Sequence, residues 1–366
     1  MDVMIKYIPD YMRYGRLAVE DFSEDLARLG GTALIVTGGK SAVLSGALDD
    51  VTAALDRQGV AFEVFDEITQ NPLTEDCHTA GRMARNIGAD YIIGIGGGSP
   101  LDAAKAVAIY AANEQLAPED IYQRENCNPP LPVVLVGTTA GTGSEVTGVS
   151  VLTDSRTLCK RSISGKDCYA AIAFCDYRYT MSVPHDFTVS TALDALAHAV
   201  ESYFSSIADE ESEEYALEAA REIFECLKVL SSAEADEALR ERLYAASLLA
   251  GLAINKTGCL FPHAVGYILT EQFGLPHGIA CAVFMPELLS RAQRFCPEKF
   301  KRFFAFLETS SEEFICLVKS LSACEVKIDE ASAKKFAARY ANGNKNFDKS
   351  PGGLSADEAA KLLYSL

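Results

Sequence analysis

The sequence has no excess of positive charge. Lysine and arginine together number 33 against 51 aspartate and glutamate residues, which gives a formal net charge of -18. Binding to a phosphate backbone requires a basic surface, and nothing in this composition provides one. We therefore expect no nucleic-acid partner.

The sequence also lacks the features that direct a chain to a membrane. The first residues, MDVMIKYIPDYMRYG, contain no basic segment followed by an apolar core. No stretch reaches the roughly 18 apolar residues that a membrane span needs. We expect a cytoplasmic protein without a membrane partner.

The eleven cysteines form no C-x-x-C pair, and a chain of 366 residues needs no disulfide scaffold. We interpret them as reduced thiols that mostly fill the core. With 49% hydrophobic and 23% charged residues, the chain is long enough to form two packed cores.

The hydrophobic pattern changes once along the chain. In the first half, strand-like runs such as TALIV, AFEVF, DYIIGIG and LPVVLVG alternate with helical segments, which predicts a parallel sheet covered by helices. After about residue 184 the pattern is helical only. We therefore predict an α/β dinucleotide-binding domain over residues 1–182 and an all-α metal-binding domain over residues 183–366.

A glycine run follows the strand in DYIIGIGGGSPLDAAKA. Gly97 and Gly98 precede a helix that Ser99 is predicted to cap, with Asp102 closing a capping box. A helix N-terminus behind glycines is an anion site, and a phosphate or pyrophosphate fits it. The common nucleotide fingerprints G-x-G-x-x-G and G-x-x-x-x-G-K-[ST] are absent, so a tight turn without a ligand is the alternative.

Two more loops of this kind follow predicted strands. VTGGKS follows the first strand, and GTTAGTGSE offers the hydroxyls of Thr138, Thr139 and Thr142. Loops at the carboxyl ends of parallel strands form the crevice where ligands bind in open α/β sheets. The three loops together predict a nucleotide-binding sheet.

The loop after the first strand indicates which cofactor is bound. Gly38 and Gly39 offer no carboxylate to an adenine-ribose 2′-hydroxyl, whereas Lys40 and Ser41 suit a 2′-phosphate. This favours NADP(H) over NAD(H).

The helical half contains a candidate metal site. Asp194 and His198 lie four residues apart on one predicted helix face, and two more of the five histidines, His263 and His277, follow in FPHAVGYILTEQFGLPHGIA. One carboxylate and three imidazoles suit Fe²⁺ or Zn²⁺, and we expect no cysteine beside them. Glu201 is interpreted as a solvated or salt-bridged helix residue.

Four segments carry a family resemblance. GGGSPLDAAKA, GTTAGTGSEVT, DALAHAVESYFS and FPHAVGYILTEQFGLPHGIACAVFMP resemble the motifs of the iron-containing (group III) alcohol dehydrogenases, which are related in fold to glycerol dehydrogenase and dehydroquinate synthase. The resemblance covers roughly residues 31 to 286. It implies a dehydroquinate synthase-like fold, an active site in the cleft between two domains, and a homodimer.

The resemblance also implies roles for individual residues. The implied metal ligands are Asp194, His198, His263 and His277. The implied cofactor contacts are Gly97, Gly98, Ser99, Asp102, Thr138, Thr139, Thr142 and Lys160. The sequence departs from the family pattern at Tyr267, which replaces the second histidine of H-x-x-x-H. Its ordinary pKa of about 10 makes it a poor general base, although its hydroxyl can donate a hydrogen bond.

Together these features predict a metal-dependent oxidoreductase that transfers a hydride between NADP(H), or NAD(H), and a small primary alcohol or aldehyde. Tyr267 and His277 are the predicted catalytic residues. The alternatives are a lyase or cyclase of the dehydroquinate synthase type, glycerol dehydrogenase-like polyol oxidation, and a non-catalytic nucleotide-binding protein. The apolar surroundings of His263 favour a small neutral substrate over a polyanion.

Overall fold

The structure is a computed structural model that describes residues 7–124 and 127–366. The chain divides into two compact units, the first ending at Pro184 and the second beginning at His185. The first unit is α/β and the described residues of the second contain helices but no strand. The fold class predicted from the sequence is therefore confirmed, whereas the assignment of functional domains to 1–182 and 183–366 stays a prediction.

A parallel sheet forms the centre of the first unit. Its strands are β1 (Met12–Tyr14), β2 (Thr32–Val36), β3 (Ala61–Phe65), β4 (Tyr91–Gly96), β5 (Val133–Gly137) and β8 (Ile172–Cys175), arranged in the order β1-β8-β5-β4-β2-β3. The central strands β4 and β5 are buried along their whole length, as expected for apolar runs covered on both faces. A separate antiparallel hairpin consists of β6 (Val149–Thr153) and β7 (Lys160–Ser164).

Helices cover this sheet, and their apolar faces complete its core. They are α1 (Ala18–Asp21), α2 (Glu24–Ala27), α3 (Ser41–Leu44), α4 (Ala47–Gln58), α5 (Thr74–Asn86) and α6 (Gly98–Ala112). Val51 and Leu55 of α4, for example, pack with Ile35, Ile93 and Val134 of the sheet in one buried cluster. Short 3₁₀ helices lie at Pro118–Tyr122, Ser144–Val146, Lys166–Cys168 and Tyr177–Thr180.

The second unit is built around a buried helix. Its helices are α7 (His185–Phe204), α8 (Glu210–Leu230), α9 (Glu237–Thr257), α10 (Phe261–Phe273), α11 (His277–Ala282), α12 (Met285–Phe295), α13 (Pro297–Leu307), α14 (Ser311–Leu321), α15 (Glu330–Ala337), α16 (Lys345–Asp348) and α17 (Ala356–Tyr364), with a 3₁₀ turn at Ala338–Tyr340. α7 is buried on all sides between Thr188 and Phe204 and packs against α8, α9 and α11. Such a central helix places its polar side chains in the core.

No single helix in the described part of the chain is both long and apolar enough to cross a membrane. Glu237–Thr257 and Phe261–Phe273 reach that threshold only as a pair, and they are bent by 109° at their junction.

Candidate metal centre and dinucleotide site

The three glycine-containing loops lie side by side at one edge of the sheet, because β5, β4 and β2 are neighbours and parallel. The loops after β4 and β5 are in contact. A Cβ atom at Gly98 would lie 2.7 Å from Cγ2 of Thr142, and one at Gly97 would lie 3.2 Å from Cγ2 of Thr139. A side chain at position 98 would thus force Thr142 to move.

The start of α6 is open to a ligand. Gly97, Gly98 and Ser99 are partly exposed, and no described side chain caps the helix. Nearby, the hydroxyl oxygen of Thr138 is buried without a hydrogen-bond partner among the residues that the structure describes. The uncapped start of a fifteen-residue helix, with the unpartnered hydroxyl of Thr138 on the adjoining loop, fits a dinucleotide pyrophosphate.

The predicted capping of α6 by Ser99 and Asp102 is wrong. The helix begins two residues earlier than predicted, at Gly98, with Gly97 in place of Ser99 as its N-cap. The Ser99 hydroxyl accepts a hydrogen bond from the backbone N–H of Asn71. The Asp102 carboxylate accepts hydrogen bonds from the hydroxyl of Ser144 at 2.6 Å and the N–H of Val151 at 2.8 Å. These tertiary contacts replace the local ones that the sequence predicts.

Lys105, one turn after Asp102, is a buried residue that the sequence analysis missed. Its ammonium group donates to the carbonyl oxygens of Ser144, Thr147 and Val149 and to the Ser144 hydroxyl, at 2.6 to 3.0 Å. Burial lowers the pKa of Lys105, and Asp102, 3.6 Å away, opposes that shift. The lysine therefore ties α6 to the loop after β5 and to β6.

The loop after β2 is shaped by packing. A Cβ atom at Gly38 would lie 1.7 Å from the carbonyl oxygen of Ile68, so a side chain at position 38 is excluded. Gly39 and Lys40 are exposed, and Ser41 begins α3.

Lys160 lies far from these residues in sequence, at the start of β7, where it pairs with Thr153 of β6.

The candidate metal ligands converge in the second unit. Asp194 on α7, His263 on α10 and His277 at the start of α11 each place one ligating atom within 4.8 Å of the others. Asp194 Oδ1 lies 3.4 Å from Nε2 of His263 and 3.9 Å from Nε2 of His277. Bond lengths of about 2.0 to 2.2 Å around a tetrahedral ion would place such donors about 3.4 Å apart.

Two atoms of this cluster contact each other but have no hydrogen-bond partner. Asp194 Oδ1 and His263 Nε2 are buried and make no hydrogen bond to any described residue. Burial raises the pKa of Asp194, but the imidazoles around it, His198 first, outweigh burial and hold that pKa below its ordinary value. An ionised, buried and incompletely bonded carboxylate facing imidazoles fits a divalent cation.

His198 lies beside this cluster. Its ring stacks on that of His263, with centroids 4.6 Å apart and planes 14° from parallel. Its ligating atom groups with His263 and Cys259, and the structure does not place it within the set formed by Asp194, His263 and His277. The structure thus brings three of the four predicted ligands together and stacks the fourth against one of them.

Glu201 is a buried partner of the site: it is not solvated, and it is paired with His263. Its carboxylate lies 2.5 Å from Nδ1 of His263 and accepts a hydrogen bond from the N–H of Leu260 at 2.6 Å. Because α7 is buried on every side, helical spacing does not reveal which of its polar residues face solvent. A carboxylate at Nδ1 directs Nε2 of His263 towards Asp194.

The expectation that no cysteine lies beside the candidate ligands is also wrong. Cys281 is buried and groups with Asp194, His263 and the partly exposed His277, and Cys259 groups with His198 and His263. Burial raises the pKa of Cys281 to about 11 and that of Cys259 to about 12. The overlooked signal is the four-residue spacing from His277 to Cys281, which matches that from Asp194 to His198.

Gly278 allows α11 to approach α7. A Cβ atom there would lie 1.7 Å from the carbonyl oxygen of Ser190 and 2.9 Å from the backbone N of Asp194. The neighbouring His277 is consequently held against the helix that carries Asp194. The site therefore depends on this close helix contact.

Tyr267 stacks on His277, with ring centroids 5.3 Å apart and planes within 9° of parallel. Burial raises the pKa of Tyr267 well above its ordinary value. The tyrosine that replaces the second histidine thus lies at the site as a neutral phenol, which agrees with its weakness as a base.

Comparison with known proteins identifies the family. The family described as iron-containing alcohol dehydrogenase matches residues 9–177, and the description of its C-terminal region, Fe-containing alcohol dehydrogenase family, C-terminal, matches residues 188–332. The chain is 32% identical to a long-chain-alcohol dehydrogenase 1 of Geobacillus thermodenitrificans, over 90% of this chain and 83% of the relative. It is 30% identical to an NAD-dependent methanol dehydrogenase of Bacillus methanolicus, over 79% and 77%.

A solved structure is similar over nearly the whole chain. An iron-containing alcohol dehydrogenase from Thermotoga maritima superposes with a TM-score of 0.89 at 34% identity, covering 97% of both chains. The protein therefore belongs to the iron-containing alcohol dehydrogenase family, as the sequence motifs predict. It is an enzyme, an oxidoreductase that acts on alcohols or aldehydes, and its family implies binding of iron and NAD(H).

Proposed function

We propose that this enzyme transfers a hydride between NADP(H) and a small primary alcohol or aldehyde at a divalent cation held by Asp194, His198, His263 and His277. The observation that carries the proposal is the buried cluster in which Asp194 Oδ1 and His263 Nε2 face each other without hydrogen bonds to the described residues. Burying these groups unpartnered would be costly unless a ligand satisfied them.

The side chains around the cation have separate tasks. Asp194 supplies negative charge, which lowers the cost of burying a cation, and His263 and His277 supply nitrogen donors. Glu201 holds the Nδ1 proton of His263, so that its Nε2 lone pair is available. The Thr270 hydroxyl lies 3.4 Å from Nδ1 of His277 and favours the same arrangement there.

When bound, the cation supplies a Lewis acid for the substrate oxygen, and the nicotinamide supplies or accepts the hydride. The residues of α7, α10 and α11 keep the donors in place, because all three helices are packed in the core. Tyr267 holds the His277 ring by stacking and keeps its own proton, which it can donate in a hydrogen bond to a substrate oxygen. Tyr267 and His277 are thus the proposed catalytic residues.

The glycine and threonine loops are the proposed cofactor contacts. Gly97, Gly98 and Ser99 offer partly exposed backbone at the start of α6, which suits the pyrophosphate. Thr138, Thr139 and Thr142 form the adjoining loop, and Asp102 and Lys160 complete the proposed set. Within this set Asp102 acts by position, because its carboxylate accepts hydrogen bonds from Ser144 and Val151 and so holds the adjoining loop.

We also propose that the enzyme prefers NADP(H) to NAD(H). This preference is supported by the exclusion of any side chain at Gly38, which leaves no carboxylate to recognise a ribose 2′-hydroxyl, and by the exposed ammonium of Lys40 near Gly39 and Ser41. The name of the methanol dehydrogenase relative shows that NAD dependence also occurs among similar chains.

The test is an anaerobic assay. The purified protein is loaded with Fe²⁺ or Zn²⁺, and consumption of NADPH and NADH is followed with a series of short aldehydes. We expect metal-dependent oxidation of NADPH that exceeds oxidation of NADH. No turnover with either cofactor at a filled metal site would overturn the proposed reaction and favour the lyase alternative.

Three further predictions concern the oligomeric state, the cellular compartment and the partners of the enzyme. We propose that it is a homodimer, that it is cytoplasmic, and that its partners are small alcohols or aldehydes rather than nucleic acid or membrane. The negative net charge supports the absence of nucleic acid among its partners. Measurement of the molar mass by light scattering tests the homodimer.

A further inference from the structure

We propose that Lys349 and Ser350 are positioning residues of the metal centre, which hold the start of α10 and through it the orientation of His263. The inference rests on the metal centre proposed above and extends it to the segment that follows α16. This segment lies beyond residues 188–332, which match the description of the family's C-terminal region. The family description therefore does not cover this part of the chain.

The junction between α9 and α10 leads into the helix of His263. It spans residues 258–260, and His263 is the third residue of α10. The N–H of Leu260 donates to Oε2 of Glu201 at 2.6 Å, and Oε1 of the same carboxylate lies 2.5 Å from Nδ1 of His263. Because one carboxylate connects the junction with the imidazole, a shift of the junction would also turn the ring.

Lys349 lies against the end of α9. Its ammonium group donates at 2.7 Å to the carbonyl oxygen of Thr257, the last residue of that helix. A cation there satisfies a carbonyl group at the helix C-terminus and interacts favourably with the helix dipole. A Cβ atom at Gly258, where φ is 64°, would lie 2.7 Å from Nζ of Lys349. The lysine therefore packs directly on the first residue of the junction.

Lys349 also interacts electrostatically with the carboxylate that orients His263. Glu201 is fully buried, and Lys349 is partly buried. Burial lowers the pKa of Lys349, and Cys259 and Glu201 oppose that shift. The ammonium group is thus close enough to the buried carboxylate to balance part of its charge.

Ser350 holds the first turn of α10. Its buried hydroxyl accepts a hydrogen bond from the N–H of Phe261 at 3.2 Å and donates to the carbonyl oxygen of Asn346 at 2.7 Å. Leu260, the N-cap residue, has no polar side chain that could satisfy this N–H group. Ser350 therefore supplies the acceptor that a helix start requires, two residues before His263.

The segment that carries these two residues is itself held in place. The carbonyl oxygen of Lys349 accepts a hydrogen bond from the N–H of Ser206 at 3.0 Å, just after α7. Phe347 is buried and its ring packs on that of Tyr340, with centroids 4.6 Å apart, and the Tyr340 hydroxyl donates to the carbonyl oxygen of Ala264 on α10. Positioning residues need such support, since a mobile side chain cannot fix another group.

Cation binding to the full-length protein, measured without turnover, tests this inference. The metal-free wild type and its variants are titrated with Co²⁺, whose absorption bands report both affinity and ligand geometry. Lys349→Met should weaken Co²⁺ binding at least about tenfold and shift the bands, because the loss of an outer contact of a metal-binding histidine typically has an effect of this size. Ser350→Ala should act in the same direction. Lys349→Arg keeps the charge and a donor for Thr257, so it should restore most of the affinity.

Two matched variants separate positioning from stability. Ser212→Ala removes a buried capping serine from α8, which carries no proposed ligand, so it should lower the melting temperature but leave the affinity and the bands unchanged. Lys345→Met removes an exposed lysine of α16 and should change none of these quantities. The melting temperatures of the metal-free proteins give the loss of stability in each variant.

The possible failures are distinguishable. Unchanged affinity and bands in Lys349→Met and Ser350→Ala, beside a wild type that binds Co²⁺, overturn the inference and leave the metal centre intact. A loss of affinity that Ser212→Ala reproduces at an equal loss of stability assigns the effect to general destabilisation and also overturns the inference. No binding of Co²⁺ to the wild type overturns the metal centre itself, and the positioning role with it.

Discussion

Each unit of this enzyme buries a carboxylate beside basic groups, but the two clusters differ in their hydrogen bonding. In the α/β unit, Asp102 accepts two hydrogen bonds and Lys105 donates to four acceptors, so both charges are satisfied within the protein. In the helical unit, Asp194 Oδ1 and His263 Nε2 are buried 3.4 Å apart, and neither makes a hydrogen bond to the described residues.

The difference separates a structural cluster from a ligand site. Buried polar groups are normally paired, and a pair that is complete contributes to the fold by connecting elements. A cluster whose buried polar atoms lack hydrogen bonds indicates that a bound ligand satisfies them. A buried aspartate beside a basic side chain therefore has a structural role in one unit and a ligand-binding role in the other, and the predictions below test that contrast.

The largest effect is expected from Asp194→Asn. Loss of the charged ligand should abolish cation binding and reduce the rate at least about 10³-fold, since metal catalysis contributes several kcal/mol. In the wild type, the cation should raise the melting temperature by binding the native state, and the variant should lose that rise. Metal analysis, calorimetry and aldehyde reduction measure the three quantities.

Asp186→Asn, an exposed change on the same helix, is the control for this experiment and should retain all three properties. A fully active Asp194→Asn protein free of metal would contradict the assignment of the helical cluster.

Lys105→Met should affect stability instead of metal binding. The substitution leaves Asp102 buried without its ion-pair partner and leaves three carbonyl oxygens without their donor, a type of loss that costs about 3–5 kcal/mol. Urea titration should show this drop in the free energy of unfolding, while the rise in melting temperature on adding Zn²⁺ persists.

Lys166→Met, at an exposed lysine of the same unit, should leave the free energy of unfolding nearly unchanged. If Lys105→Met proved as stable as this control, the Lys105 cluster would not be the structural connection that we describe.

The sequence predicts the parts of the fold that depend on local pattern. Strands β2 to β5 are apolar runs next to glycines, and the helical second half has no competing strand pattern. The short strands β1 and β8 and the β6–β7 hairpin were not identified, because they depend on pairing with distant residues, as in Met12 with Ala173. Local propensity carries little information about such segments.

The same limit applies to the site. Asp194, His263 and His277 could be found because histidine is rare in this chain and the spacing is helical. The sequence does not show that Glu201 is buried against His263, because its helix is buried on all sides, and it does not single out Cys281, because a cysteine in an apolar segment resembles core packing. The role of Gly38 in packing against Ile68 depends on a contact between separate segments, which sequence spacing does not reveal.

Gly278→Ala tests whether the helical site depends on close packing. The added methyl group would overlap the Ser190 carbonyl, so α11 must move away from α7 at a cost of about 1–3 kcal/mol. Because His277 moves with α11, cation affinity should fall as well, which isothermal titration with Zn²⁺ measures.

Gly31→Ala is the matched control, because a Cβ atom there meets no described atom within 4 Å. Unchanged Zn²⁺ affinity in Gly278→Ala would show that the ligands converge without this helix contact.

The smallest effect is expected in the α/β unit, from Lys40→Ala. The Lys40 side chain is exposed, so its removal should leave the protein stable and the cation bound. Loss of a charged hydrogen bond to a 2′-phosphate costs about 1.5–3 kcal/mol, which should lower kcat/KM for NADPH at least about tenfold. The value for NADH should hardly change, because NADH has no phosphate at this position.

Lys301→Ala, at an exposed lysine of the helical unit, should alter neither value. An equal fall with both cofactors would assign Lys40 to a part of the dinucleotide that NADH and NADPH share, and the preference for NADPH would then lose its support from this loop.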